Sequence, residues 1–184
     1  MNPLAAMLIF ARCARPDLRR SVSGTAAIEF ALVALVLVPV LLNVVDFSFL
    51  IWGQMEVDNA AEMGAQAAYT TCSTSGSTPA TTNCASLNTV VTTAIQSTSL
   101  GNSVSLATGY PSEAYYCTSG TSLQSVGSYS SPPSPFNCSA AGNAAATPGD
   151  YITIEVNYPY SPLFSGLSLA SAQTLTASGM QRLK

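Results

Sequence analysis

The sequence predicts an α+β protein in which a long N-terminal transmembrane helix continues into a small domain with a short helix and an antiparallel sheet. Three observations predict it: an apolar run from Phe30 to Trp52, a proline-free helical pattern that carries on to Tyr69, and an alternating segment from Ile152 to Tyr158.

The apolar run, FALVALVLVPVLLNVVDFSFLIW, is 23 residues long, or roughly 35 Å as a helix. That is enough to cross a hydrocarbon core about 30 Å thick with some tilt. Pro39, Asn43 and Asp46 interrupt it. Asp46 lies near the far end, where a carboxylate reaches the interface, and Asn43 and Pro39 suit faces turned to partner helices. Trp52 beside Gly53 fits the far interface. Four arginines, Arg12, Arg15, Arg19 and Arg20, precede the run, and no basic residue follows it until Arg182. The positive-inside rule therefore keeps the N-terminus in the cytoplasm and exports the body.

Beyond Trp52 the helix is expected to extend to Tyr69, with Val57, Ala61, Gly64, Ala65 and Ala68 as a stripe of mostly small residues open to the body's own strands or to a neighbouring subunit. Leu87, Val90, Val91, Ala94 and Ile95 recur at helical spacing within Ala85 to Leu100, and Gly101 is a natural stop. Ile152, Ile154, Val156 and Tyr158 alternate with Thr153, Glu155 and Asn157, a half-buried strand entered through Pro148-Gly149-Asp150. A second strand over Gln173 to Arg182 pairs with it. The Ser/Thr/Gly/Pro-rich stretches Thr70 to Asn83 and Thr118 to Thr147 are too polar to build much core.

Composition narrows the function. Charged residues are only 8% of the chain, against roughly 25% in an ordinary soluble domain. The first 24 residues carry four arginines and one aspartate, net +3; everything after them carries Arg182 and Lys184 against eight acids, net −6. No basic surface remains beyond the head, which excludes nucleic acid as a partner. The chain has no histidine, so histidine-dependent hydrolysis and His-ligated zinc are excluded. No Gly-rich phosphate loop, C-x-x-C pair or serine elbow is present. Glu56, Asp58 and Glu62 read as a solvated surface. No enzyme activity, cofactor or metal is expected.

Cys72, Cys84, Cys117 and Cys138 all follow the anchor, as an oxidising compartment would use them. Four cysteines permit three pairings. Pairing Cys72 with Cys84 and Cys117 with Cys138 closes the two local loops and is preferred.

The head carries its own signal. In Ser23-Gly24-Thr25-Ala26-Ala27-Ile28-Glu29-Phe30, a basic leader ends in a glycine, and a glutamate stands five residues on at the mouth of the apolar helix. The arrangement resembles the type IV prepilin signal, which implies a cut after Gly24 by a prepilin peptidase, leaving Thr25 as the new N-terminus. Glu29 would then lie one turn from the Thr25 amine, and the family implies that it, with Phe30, sets the register between subunits. Gly24 to Ala68, with its AAIEFAL opening, internal proline and acid followed by Phe, is similar to the TadE-like family of tight adherence (Flp-type) pilus assembly. Tyr151 to Leu167, YITIEVNYPYSPLFSGL, resembles that family's strand and Tyr-Pro-Tyr-x-Pro-Leu turn. The leader is long for Flp pilins, and Phe30 stands where they usually have tyrosine. With a mature chain of 160 residues after removal of 24 from 184, this implies a minor pseudopilin and not the major pilin.

The expected organisation is therefore a leader over 1–24, a transmembrane and extended helix over 25–69, and a disulfide-stapled periplasmic α+β domain over 70–184. The resemblance implies the inner membrane, prepilin peptidase, other pilins or TadE-like pseudopilins and the pilus assembly machinery as partners, with incorporation in a surface pilus left open. The rival reading is a membrane-tethered, adhesin-like binding module, and a third is a machinery subunit that is never cut.

Overall fold

The computed structural model describes residues 23–74 and 76–184. Most of the leader read over 1–24 thus lies outside the described residues. Contacts group the chain into two units, Met1–Leu41 and Leu42–Lys184.

Helix α1 spans Ser23–Cys72, 50 residues with Pro39 inside. Among the described residues it is the one helix long and apolar enough to cross a membrane. Its residues from Gly24 to Leu41 are almost all exposed, including Phe30, Leu35 and Val36. In its second half Gly53, Val57, Ala60, Ala61, Gly64, Ala65, Ala68 and Cys72 are buried, at the three-and-four spacing of a single face. The small-residue stripe, which the sequence leaves open to self or neighbour, is thus covered by the chain's own domain.

The cover is a five-stranded antiparallel sheet built around β4 (Gly149–Tyr160). On one edge β4 pairs with β5 (Gln173–Arg182) over ten residues, from Tyr151↔Arg182 to Tyr160↔Gln173. Its other edge takes β2 (Ser112–Ser119) along Gly149 to Thr153, and the short β1 (Ser105–Leu106) at Val156 and Asn157. Strand β3 (Ser122–Ser128) completes the sheet by pairing with β2. Ile152, Ile154 and Val156 are fully buried while Thr153, Glu155 and Asn157 are half-exposed, the alternation of a one-sided strand. They meet Leu175 and Leu183, and Leu87, Val91 and Ile95 of helix α3 (Leu87–Ile95), in one core with α1. Burying each of the larger aliphatic side chains contributes roughly 1.5–3 kcal/mol.

Glycines let these layers close. A Cβ at Gly64 would meet Ile95 Cγ2 at 2.8 Å and Ile154 Cγ2 at 3.1 Å; one at Gly179 would strike the Ala61 carbonyl and come within 2.9 Å of the Glu62 nitrogen. Glycine inside a strand marks such a close backbone approach.

Three local expectations change. Helix α3 is shorter than Ala85 to Leu100, because Ser97 Oγ and Thr98 Oγ1 donate to the carbonyls of Ala94 (2.6 Å) and Ile95 (3.1 Å), as hydroxyls do when they compete for helix-end carbonyls. Gly149 and Asp150 are buried members of β4 and not a turn before it. The polar stretch Thr118 to Thr147 includes the end of β2 and all of β3. Five of the seven residues of β3 are Ser, Gln or Gly, and the strand is held by its ladder to β2 more than by core burial.

Candidate functional site: the apolar helix and the loop it holds

Gly24, Thr25, Glu29 and Phe30 lie within the first two turns of α1, all exposed. Thr25 and Glu29 are one turn apart on the same face. A Cβ at Gly24 would meet nothing within 4 Å. A helical glycine costs about 1 kcal/mol relative to alanine, so packing in this chain gives no reason for it.

The polar residues further along α1 have a role that the sequence does not announce. Asp46 is fully buried and does not reach outward to an interface. Its Oδ1 accepts the Leu163 amide at 2.9 Å, and its backbone carbonyl accepts the Tyr160 hydroxyl at 2.9 Å. Asn43 is turned to the chain's own loop instead of a partner helix: its Nδ2 donates to the Leu167 carbonyl at 3.0 Å and its Oδ1 accepts the Leu169 amide at 2.6 Å. One turn of helix therefore holds both ends of the β4–β5 connection. That loop also satisfies itself, with Leu167 and Ser168 amides on the Phe164 carbonyl (3.0 and 3.1 Å) and the Ala170 amide on Ser168 Oγ (3.1 Å). Between helix and loop runs a groove of about 270 Å³ lined by Phe49, Trp52, Tyr160, Pro162 and Leu163 among others.

At the other end of β4 lies a second cavity, about 430 Å³, lined by Tyr115, Tyr129, Phe136, Asp150, Arg182 and Lys184 among others. Tyr115 stacks on Tyr129 (centroids 4.8 Å apart) and meets Phe136 edge-on (5.1 Å). The Tyr129 hydroxyl donates to Asp150 Oδ2 at 2.6 Å, while Asp150 Oδ1 has no hydrogen-bond partner among the described residues. Burial raises the Asp150 carboxyl to about 6; the Tyr129 hydrogen bond opposes this and the Glu113 carboxylate adds to it. Burial, with the Asp150 hydrogen bond, also pushes the Tyr129 hydroxyl well above its usual range. Glu113 itself accepts the Ala80 and Thr81 amides and the Thr81 hydroxyl, each at 3.0 Å. It thereby fixes the short helix α2 (Ala80–Asn83) to the sheet.

Disulfides join Cys72 to Cys84, at the end of α1, and Cys117 of β2 to Cys138. No group of three or more acidic or cysteine side chains among the described residues is arranged to hold a metal.

A family model described as TadE-like protein matches residues 24–66. The chain thus carries a TadE-like segment. It opens at Gly24, takes in Glu29, Asn43 and Asp46, and ends within the buried small-residue face of α1. The TadE-like family is associated with the Tad/Flp pilus as a structural component, and the matched segment lies within the helix that is long and apolar enough to anchor in a membrane. The match does not extend to Tyr151–Leu167, the stretch that Asn43 and Asp46 of the TadE-like helix hold. No curated protein and no solved structure is significantly similar to the chain.

Sequence reasoning missed the Asn43 and Asp46 contacts, Tyr160 as their partner, and the Glu113 clamp. The signal for the first was available in Tyr158-Pro159-Tyr160-Ser161-Pro162-Leu163, a rigid aromatic turn with no other stated task. Glu113 stands alone in a polar stretch and gives no such hint.

Proposed function

We propose that this chain is a minor pseudopilin of a Flp-type (tight adherence) pilus, cut after Gly24 by a prepilin peptidase and acting structurally in pilus assembly. The observation that carries the reading is that the TadE-like match opens at Gly24, a helical glycine without a packing role in this chain. A peptidase that must fit the backbone at the cut supplies the missing reason for it.

The rest follows from charge and helix geometry. The N-terminus stays in the cytoplasm, the helix crosses the inner membrane, and the domain from Thr70 onward folds in the periplasm, where its disulfides form. After cleavage the Thr25 amine and the exposed Glu29 carboxylate stand one turn apart. In an apolar environment neither charge is stable alone. A Glu29 carboxylate meeting the amine of the adjacent subunit satisfies both and fixes one axial register, and Phe30 beside it fills the contact. Because the domain already covers the small-residue face of α1, subunit contacts fall on the exposed apolar surface of the helix's first half, toward other pilins or TadE-like pseudopilins.

The test is intact-mass and N-terminal peptide analysis of membrane-expressed protein in a host with its prepilin peptidase. A chain beginning at Thr25, lost on Gly24→Leu, is expected; a chain retaining Met1 overturns the reading. An uncut chain would favour a tethered binding module, drawing on the aromatic cavity beside Asp150, or a machinery subunit that is never cut.

A further inference from the structure

We infer that the β4–β5 loop, Pro162 to Leu169, is a second membrane element that enters the acyl region of the outer leaflet alongside α1. The inference rests on α1 being a membrane anchor, and not on cleavage at Gly24.

The level of the loop on the helix is the first argument. Asn43 and Asp46 grip it, and both lie inside the apolar run, with Asn43 nine residues before Trp52, or about 14 Å along the axis. With Trp52 at the interface, the tip of the loop sits close to half a hydrocarbon thickness deep. At that same level the other faces of α1 are bare and apolar: Val44, Val45 and Phe47 are all exposed. Whatever surrounds them surrounds the loop.

The loop is built for such a medium. It presents Leu163, Leu167 and Leu169 outward, 66%, 59% and 83% exposed, and no charged residue occurs between Glu155 and Arg182. In water three leucines at the tip of a surface turn have no use; in lipid they are the appropriate surface. An irregular segment enters a bilayer at a cost set by the backbone polar groups it leaves unsatisfied. Here much of that requirement is met: Asp46 takes the Leu163 amide, Asn43 takes the Leu167 carbonyl and the Leu169 amide, and the Phe164 carbonyl takes the Leu167 and Ser168 amides, which leaves the amides of Phe164, Ser165 and Gly166 at the bend without a partner among the described residues. This also explains why an Asn and an Asp are tolerated in the anchor: they are the internal partners of a backbone that would otherwise face lipid. Two apolar feet fix the tilt and rotation of the domain over the membrane, which a single helix leaves free.

The test uses the single tryptophan of the chain. In full-length Trp52→Phe protein reconstituted into phosphatidylcholine vesicles, tryptophan is placed in turn at Val38, at Leu169 and at Leu123 of β3. Quenching by mid-chain brominated lipid is compared with quenching by aqueous acrylamide. Leu169→Trp is expected to lose about half its emission to brominated lipid, as Val38→Trp does, and little to acrylamide, while Leu123→Trp does the reverse. Val38→Trp quenched by lipid with Leu169→Trp quenched only by acrylamide overturns the inference and leaves the anchor standing. Leu169→Trp shielded from both quenchers also overturns it, and assigns the loop to a protein neighbour. Failure of Val38→Trp to report lipid removes the anchor itself.

Discussion

Of the described glycines, Gly179 is the one where an added Cβ would be most crowded, and the atoms that crowd it are backbone. Gly179 pairs with Ile154 in the sheet and faces α1. A methyl there would lie 2.6 Å from the Ala61 carbonyl carbon and 2.9 Å from the Glu62 nitrogen, whereas non-bonded carbons rest at about 3.5–4 Å. Backbone atoms have no rotamer to escape into, so β5 and α1 must part by about 1 Å along their contact. Gly64→Ala is the comparison: its methyl meets the ends of Ile95 and Ile154 side chains at 2.8 and 3.1 Å, which can turn, and the helix gains about 1 kcal/mol in propensity. Overpacking usually costs about 1–3 kcal/mol. Gly179→Ala should reach about 3 kcal/mol at the upper end of that range, and Gly64→Ala about 1 kcal/mol after the propensity gain. In a chain of this size 1 kcal/mol moves Tm by about 2–4 °C. The expected drops are therefore about 6–12 °C and about 2–4 °C, read by circular dichroism of the detergent-solubilised chain with its disulfides intact. If Gly179→Ala melts within about 2 °C of the parent, or Gly64→Ala is the worse of the two, the seating of strand backbone on helix backbone is refuted.

Other expectations follow from the same packing. Glu113→Ala strips the acceptor from two amides and a hydroxyl of α2 and should cost about 2 kcal/mol by urea unfolding. Replacing Cys72 and Cys84 together by serine opens a loop with a sequence separation of 12, which should cost about 3 kcal/mol; an unchanged urea midpoint would show the bridge to be idle. Asp150 binds its proton more readily folded (about 6) than at its usual value of 3.8. Through that group stability therefore falls as pH rises from about 4 to about 6 and levels off above. Urea midpoints across this range should show the slope in the parent and lose it in Asp150→Asn.

Much of this architecture was legible because periodicity carries it. The helix, its small-residue face and the β4–β5 pair follow from spacings of three and four or of two, and each is present where the spacing placed it. What was hidden has a common cause. β3 has only Leu123 and Val126 among serines, a glutamine and a glycine, and the two stand three apart, so no alternation shows. Asn43 and Asp46 read as blemishes in an apolar run because their partners lie more than a hundred residues away, at separations of 124 and 117, and no local pattern reports a contact at that distance. Glu113 likewise acts across 33 residues on Ala80.

Those separations set an order of events during synthesis. Asp46 leaves the ribosome 117 residues ahead of Leu163, the amide it will accept. At about 5–20 residues per second the interval is roughly 6–24 s. For most of it, from the emergence of Cys72 to that of Gly149, the helix is complete but the strands that cover Val57, Ala61 and Gly64 do not yet exist. A nascent chain in this condition displays a bare groove of small side chains, the sort of surface on which another helix docks readily. The cell must either shield that groove or use the interval to seat a companion on it before β4 and β5 arrive and close it.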